Sequence, residues 1–143
     1  MKLVPHWVSG SEFAGNDARR GEVFDPAKGI QSKEVAFADQ SDVDAAVAAA
    51  SAAFPFWRDT SLAKRSAIMF RFRELLDAKK SELAEIITEE HGKVVSDALG
   101  EISRGLEVVD FACGLPHLLK GEYSENASTS IDVYSMKQPL GVV

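Results

Sequence analysis

Arg104 is the residue whose type and setting most suggest chemistry in this sequence. If the surrounding segment is helical, its neighbours at i+4 and i+7 are Val108 and Phe111, so a cation lies on a partly apolar face. An arginine covered by such a face typically meets a planar anion, because its guanidinium fork matches a carboxylate. The alternative is an i,i+3 pair with Glu101 or Glu107 on a solvated face. The residues alone leave both interpretations open.

The helix that must carry Arg104 follows from the hydrophobic periodicity. A stripe at spacings of three, four and seven predicts a buried face made of Val95, Leu99, Ile102, Leu106, Val109 and Cys113. Gly92 is the predicted C-cap of the preceding helix, Ser96 the N-cap of this one, and Pro116 its stop. Gly100 and Gly105 each cost about 1 kcal/mol relative to alanine inside a helix. Two such glycines suggest close backbone packing.

The sequence lacks the common motifs for phosphate binding, metal binding and nucleophilic catalysis. No G-x-G-x-x-G or Walker-type loop occurs that could cradle a phosphate. His6, His91 and His117 share no metal-ligand spacing with one another or with Cys113, so no metal site is predicted. Cys113 is interpreted as a small buried residue of the core stripe, and Lys93 as a solvated lysine after a helix cap. We therefore predict no catalytic residue.

Composition limits the class of protein. The chain has 143 residues, of which 45% are hydrophobic and 27% charged, as in one ordinary globular domain. A net charge of −6 with scattered basic residues disfavours a nucleic-acid partner. A single cysteine favours a reducing compartment, and neither a signal peptide nor a membrane-length apolar run is found. These features predict a cytoplasmic location without membrane association.

The first part of the chain predicts short strands and turns. Residues Val4 to Val8 can pair with Ser11 to Ala14 across a tight turn at Ser9-Gly10. Asp25-Pro26-Ala27-Lys28-Gly29 has the residue types of a turn, and Val35-Ala36-Phe37 of a short strand.

Helices are predicted next. Ser41 and Asp44 resemble a capping box that starts the first helix, and Pro55 is expected to end it. The second helix starts near Ser61 and either continues or breaks near Lys80-Ser81. Its predicted inward side chains are Ile68, Phe72, Leu75 and Leu76.

The last part of the chain changes to a strand pattern. Ile131 to Met136 form a strand candidate, and Pro139 to Val143 begin an apolar run that the last residue cuts off. A strand is not expected to finish on its most apolar residues. We therefore expect a truncated polypeptide, or one domain of a longer one.

Several short motifs together resemble the amino-terminal pattern of the aldehyde dehydrogenase superfamily. In chain order they are Asp42-Val43-Asp44-Ala45-Ala46-Val47, Ala53-Phe54, Trp57, Lys64-Arg65, Glu90-His91-Gly92-Lys93 and Pro139-Leu140-Gly141-Val142-Val143. A second group is similar to the CoA-acylating methylmalonate-semialdehyde dehydrogenase branch: Gly100-Glu101, Arg104-Gly105, Phe111-Ala112-Cys113 and Leu119-Lys120-Gly121-Glu122. Each motif is weak alone, but the resemblance covers essentially the whole chain in order.

The resemblance implies an α/β fold of the aldehyde dehydrogenase type. Residues 1–143 would be the amino-terminal portion of the NAD-binding and oligomerisation domain, with short β-hairpins, three to four helices and an oligomerisation-type strand region. The complete Rossmann sheet and the catalytic domain would be absent, since the family's catalytic cysteine lies downstream and Cys113 does not match its motif.

The resemblance also implies an activity. The family branch uses NAD and CoA to oxidise malonate and methylmalonate semialdehydes in valine, pyrimidine or inositol breakdown, releases carbon dioxide, and forms homodimers or homotetramers. Arg104 matches the arginine of its G-E-x-x-R-G motif, to which substrate-carboxylate binding is ascribed. The residues that bind the cofactors would lie mostly outside this chain.

Three hypotheses follow for function. The first is an amino-terminal fragment of such a dehydrogenase that is inactive alone. The second is a non-catalytic interaction module that pairs with full-length subunits through its exposed helix face and the strand near Ile131. The third and weakest is an independent helical binding protein.

Overall fold

The computed structural model describes residues 1–16 and 18–143. Its elements follow one another as short strands, a run of helices and a final hairpin. The strands are β1 (Lys2–Val4), β2 (His6–Val8), β3 (Ser11–Phe13), β4 (Arg20–Asp25), β5 (Ile30–Ala36), β6 (Tyr123–Ser128) and β7 (Ile131–Tyr134). The helices are α1 (Gln40–Asp59), α2 (Leu62–Ala78), α3 (Lys80–His91), α4 (Val95–Cys113) and α5 (Leu115–Leu118).

The described strands form three small sheets. β5 pairs in parallel with β1 and antiparallel with β4, while β2–β3 and β6–β7 are separate hairpins. The predicted hairpin at Ser9-Gly10 is confirmed for His6–Val8 and Ser11–Phe13, whereas Val4 pairs with Val35 of β5. Both turn residues have the positive φ (53° and 78°) that a tight two-residue connection needs. The predicted strand at Val35 is longer than expected, because β5 has a partner on each side.

The start and end of α1 both differ from the sequence prediction. The capping box lies two residues earlier than expected: the Asp42 N–H donates to Asp39 Oδ1 at 2.9 Å, and the Asp39 N–H donates to Asp42 Oδ2 at 3.1 Å. Pro55 was expected to end α1 but lies inside it. The helix continues because Pro55 removes only one donor, and the end is made at Thr60, whose hydroxyl donates to the Phe56 carbonyl at 2.7 Å.

The other helix boundaries mostly follow the prediction. Ser61 is the N-cap of α2, and Gly92 ends α3 in the left-handed conformation, with φ of 84°. The chain breaks between α2 and α3 at Lys79. The predicted N-cap Ser96 is wrong, since α4 starts after Val94 without a side-chain cap, and Pro116 lies in the first turn of α5, where proline is tolerated.

The core lies between α3 and α4. Its buried side chains are Ala84, Ala98, Ile102 and Leu106, surrounded by the partly buried Leu76, Leu83, Ile87 and Leu99. The predicted stripe of α4 is confirmed at Ile102, Leu106 and Cys113, whereas Val95 at its start is exposed. The predicted inward face of α2 is wrong for Ile68, Phe72 and Leu75, which are exposed because α4 covers a neighbouring stripe of this helix.

The described residues leave an unusually large surface open. Their accessible area is 10387 Å². A folded monomer of 15.5 kDa is expected to expose about 7,200 Å². Large apolar side chains on α1, α2 and the β6–β7 hairpin contribute to the excess, among them Phe56, Phe70 and Tyr134. These faces lack the cover that such side chains have in a complete core.

No helix of the described residues is long and apolar enough to cross a membrane.

Candidate functional site

Arg104 lies on the side of α4 that faces away from the core. α2 and α3 pack against the opposite side of this helix, where Ile102 and Leu106 are buried. Val108 and Phe111, the apolar neighbours of Arg104 along the helix, are 69% and 68% exposed. The described residues therefore do not cover this face. Arg104 shares this exposed face with Val108 and Phe111, while its guanidinium lies toward Gly100, one turn earlier in the helix.

The two glycines of α4 differ in their surroundings. A Cβ added at Gly100 would lie 3.9 Å from Nη1 of Arg104, whereas one added at Gly105 would meet nothing within 4 Å. The close backbone packing inferred for both glycines is therefore not formed by the described residues. Gly100 instead leaves space beside the guanidinium of Arg104.

Lys93 and Glu101 form an ion pair next to this face. The Lys93 ammonium contacts Glu101 Oε1, and the Lys93 side chain is only 18% exposed, compared with 43% for Glu101. The interpretation of Lys93 as a solvated lysine is therefore wrong. The sequence contained no local signal for this contact, because the two residues are eight positions apart and meet only through the bend between α3 and α4.

The charges around Glu101 keep its carboxylate ionised. The hydrogen bond from Lys93 is the main cause that holds the pKa of Glu101 below its ordinary value. Partial loss of solvent opposes this effect, while the positive charges of Lys93, Arg104 and His91 reinforce it. Glu101 is thus a fixed anion, and its principal partner is Lys93.

Arg104 is left without the partner that a solvated helix face would have given it. Among residues 1–16 and 18–143, neither Glu101 nor Glu107 forms an ion pair with Arg104. The structure thus completes neither interpretation of Arg104: within the described residues the i,i+3 ion pair is not formed, and the apolar face is not covered. The guanidinium of Arg104 can offer both donor edges to a planar anion such as a carboxylate.

The remaining candidates have structural roles. Cys113 is buried as predicted, and its carbonyl accepts a hydrogen bond of 2.8 Å from the Ser66 hydroxyl, which ties α4 to α2. His91 lies in the last turn of α3. Within the described part of the chain, no group of three or more His, Cys, Asp or Glu side chains is arranged to hold a metal ion.

The chain matches the aldehyde dehydrogenase family over residues 13–143. A malonate-semialdehyde dehydrogenase of Pseudomonas aeruginosa is 43% identical over 143 residues, which are 100% of this chain and 29% of the relative. An Arabidopsis thaliana protein, named an acylating, mitochondrial methylmalonate-semialdehyde dehydrogenase, is 40% identical over 97% of this chain and 23% of its own length. This chain therefore spans less than a third of the length of these relatives.

A crystal structure shares the fold. A protein of Sinorhizobium meliloti 1021, described as a methylmalonate-semialdehyde dehydrogenase complexed with NAD, superposes with a TM-score of 0.94 at 42% identity. The match covers 99% of this chain and 29% of that one. The predicted fold is confirmed: an aldehyde dehydrogenase-like α/β arrangement with hairpins and four long helices, and sheets of only two or three strands among the described residues. The chain belongs to the aldehyde dehydrogenase family.

Proposed function

We propose that this chain is the amino-terminal portion of an NAD-dependent, CoA-acylating malonate- or methylmalonate-semialdehyde dehydrogenase. The complete enzyme oxidises the semialdehyde to an acyl-CoA in valine, pyrimidine or inositol breakdown, acts in the cytoplasm, and is a dimer or tetramer. Residues 1–143 alone are inactive, because the catalytic domain is supplied by the rest of the polypeptide. The large open surface of the described residues supports this proposal, since a covering domain would remove it from water.

The observation that supports the substrate class is the guanidinium of Arg104, which forms no ion pair within residues 1–16 and 18–143. A malonate or methylmalonate semialdehyde has a carboxylate close to its aldehyde group. Arg104 would bind that carboxylate through two parallel N–H donors, while Val108 and Phe111 contact the apolar cover and exclude water. Removal of water strengthens this charge-assisted contact relative to its strength on an open surface. Arg104 is thus a substrate-binding residue and not a catalytic one.

We assign no residue of this chain to the binding of NAD or CoA. NAD accepts the hydride of the aldehyde in such an enzyme, and CoA accepts the acyl group. The sequence has no glycine-rich phosphate loop. We propose that the groups that bind both molecules lie mostly in the remaining part of the enzyme.

A joined enzyme tests this proposal. It consists of residues 1–143 fused to the rest of the Pseudomonas aeruginosa relative, in place of the segment that they match. We expect it to reduce NAD with malonate semialdehyde and to form acyl-CoA when CoA is present, whereas the isolated chain reduces no NAD. NADH absorbance and acyl-CoA mass spectrometry measure the two products, and the unmodified relative is the control. NAD reduction by the isolated chain, or a joined enzyme that accepts only plain aldehydes, would contradict the proposal.

A second candidate function is a non-catalytic module that associates with full-length subunits. The observation in its favour is the β6–β7 hairpin, all of whose residues are exposed, including Tyr123, Ile131, Val133 and Tyr134. A two-stranded hairpin is marginally stable alone, and its unpaired edges can accept another strand.

Gly121 provides a test of this second function. A Cβ at Gly121 would overlap the carbonyl oxygen of Ser135, where Ser135 N–H donates to the Glu122 carbonyl and Glu122 N–H to Ser135 Oγ, both at 2.9 Å. Gly121→Ala is therefore expected to open the base of the hairpin and to reduce co-elution with intact dehydrogenase subunits in size-exclusion chromatography. Gly105→Ala, which meets nothing within 4 Å, is the control and should co-elute like the unmodified chain. If the unmodified chain does not co-elute at all, the module is ruled out.

A further inference from the structure

We infer that Lys93 is a positioning residue that keeps Arg104 available to the substrate. Lys93 holds the carboxylate of Glu101, which directly follows Gly100, the residue whose added Cβ would lie 3.9 Å from Nη1 of Arg104. This inference rests on the proposed binding of a substrate carboxylate by Arg104. Arg104 and Lys93 then set the specificity of the site together, although only Arg104 contacts the substrate.

The bend before α4 fixes the position of Lys93. Gly92 adopts a φ of 84°, and a Cβ there would lie 3.1 Å from Cγ of Pro26, in the turn between β4 and β5. The chain therefore passes close to this turn before it enters α4. The next residue, Lys93, is mostly buried along its stem and delivers its ammonium to Glu101 on the second turn of α4. Such a placement costs side-chain entropy, unlike that of a lysine that remains in solvent.

Glu101 would otherwise compete with the substrate. It lies three residues before Arg104, a spacing at which oppositely charged side chains on a helix interact. Its carboxylate has the same shape and charge as the group that Arg104 is proposed to bind. With Lys93 present, the three side chains carry two positive charges and one negative charge, which leaves a net positive charge for an incoming anion. Without Lys93 the net charge is zero, and Glu101 can both occupy Arg104 and repel the substrate.

Lys93→Met in the joined enzyme tests this inference, because methionine retains the length of the stem and removes the charge. We expect KM for malonate semialdehyde to rise about tenfold, because the freed Glu101 carboxylate then competes with the substrate carboxylate for Arg104. Hydrogen bonds between charged groups are strong enough for a competition of this size. The kcat for that substrate and the KM for propanal should remain within about twofold. Lys93→Met combined with Glu101→Gln should restore the KM, because the competing carboxylate is then gone. Lys79→Met is the matched control, as it removes an exposed pair of 2.9 Å between Lys79, the N-cap of α3, and Glu82 in its first turn.

A second measurement does not depend on turnover. Malonate is a probe for the carboxylate site, and its binding should raise the Tm of the joined enzyme. The shift should be smaller in Lys93→Met and return in the double variant. An unchanged KM and Tm shift in Lys93→Met, or a defect that Glu101→Gln does not rescue, would overturn the role of Lys93. In that case Arg104→Leu decides whether the proposed function is kept. If this variant loses much more kcat/KM for malonate semialdehyde than for propanal, the carboxylate role of Arg104 is kept and only the role of Lys93 fails. If it loses the same for both substrates, both proposals fail.

Discussion

Arg104→Leu in the joined enzyme is expected to reduce kcat/KM for malonate semialdehyde by about 1.5–3 kcal/mol, which is roughly 10- to 150-fold. The reason is the loss of a charge-assisted contact to the substrate carboxylate in a site from which water is excluded. Leucine is a good helix former and carries no charge, so the substitution removes the guanidinium with little change to α4. Propanal has no carboxylate and should be oxidised at nearly the original rate.

The comparison of the two substrates decides this prediction. Equal losses for propanal and the semialdehyde would show that Arg104 supports the fold or the catalytic step and does not recognise a carboxylate. Arg71→Leu provides a matched control, because Arg71 forms an exposed i,i+3 pair of 2.9 Å with Glu74 on α2. Surface pairs of this kind contribute about 0–1 kcal/mol to stability. The control should therefore leave kcat/KM for both aldehydes unchanged.

Leu106→Ala is expected to destabilise the chain by about 2–4 kcal/mol. Leu106 is only 8% exposed and lies in the small cluster with Ala84, Ala98 and Ile102 that joins α4 to α3. Truncation removes the transfer free energy of the side chain and leaves a cavity, since the neighbouring alanines are too small to fill it. Ile102 is the other large side chain among the buried members of the cluster, so the loss of Leu106 weakens the contact between α3 and α4 considerably.

Urea unfolding of the 143-residue chain, followed by circular dichroism, measures this effect. Val108→Ala is the control two residues away, because Val108 is exposed and its truncation should change the free energy of unfolding by no more than about 0.5 kcal/mol. Similar losses for both variants would mean that the outer face of α4 is as well packed as the inner one. Arg104 would then lie in a structural contact and not in an open site.

Local interactions explain the predictions that were correct. Ser61 as an N-cap, Gly92 as a C-cap and the turn at Ser9-Gly10 depend on backbone groups within a few residues. The start and the end of α1 were predicted wrongly because other residues nearby make these boundaries. Asp39 offered a better capping box than Ser41, and Pro55 lies early enough before Thr60 for the last turn to close.

The inward face of α2 illustrates a different limit. Ile68, Phe72 and Leu75 form an apolar stripe, yet they are exposed, while the buried residue of this helix is Ser66, which bonds to the carbonyl of Cys113. Periodicity shows that a helix has an apolar side. It does not show which neighbour covers that side, or whether that neighbour lies within the same 143 residues.

For Arg104, the sequence by itself determined the helix, the side of the helix and the apolar neighbours, because a helical period fixes which residues share a face. It also carried the family resemblance. Only the tertiary structure decided that, within residues 1–16 and 18–143, Glu101 pairs with Lys93 and not with Arg104, because the bend at Gly92 brings Lys93 to Glu101 from the preceding loop. Contacts across a bend depend on how two helices pack, and that packing is set by the buried faces of both and not by the spacing of charges along one.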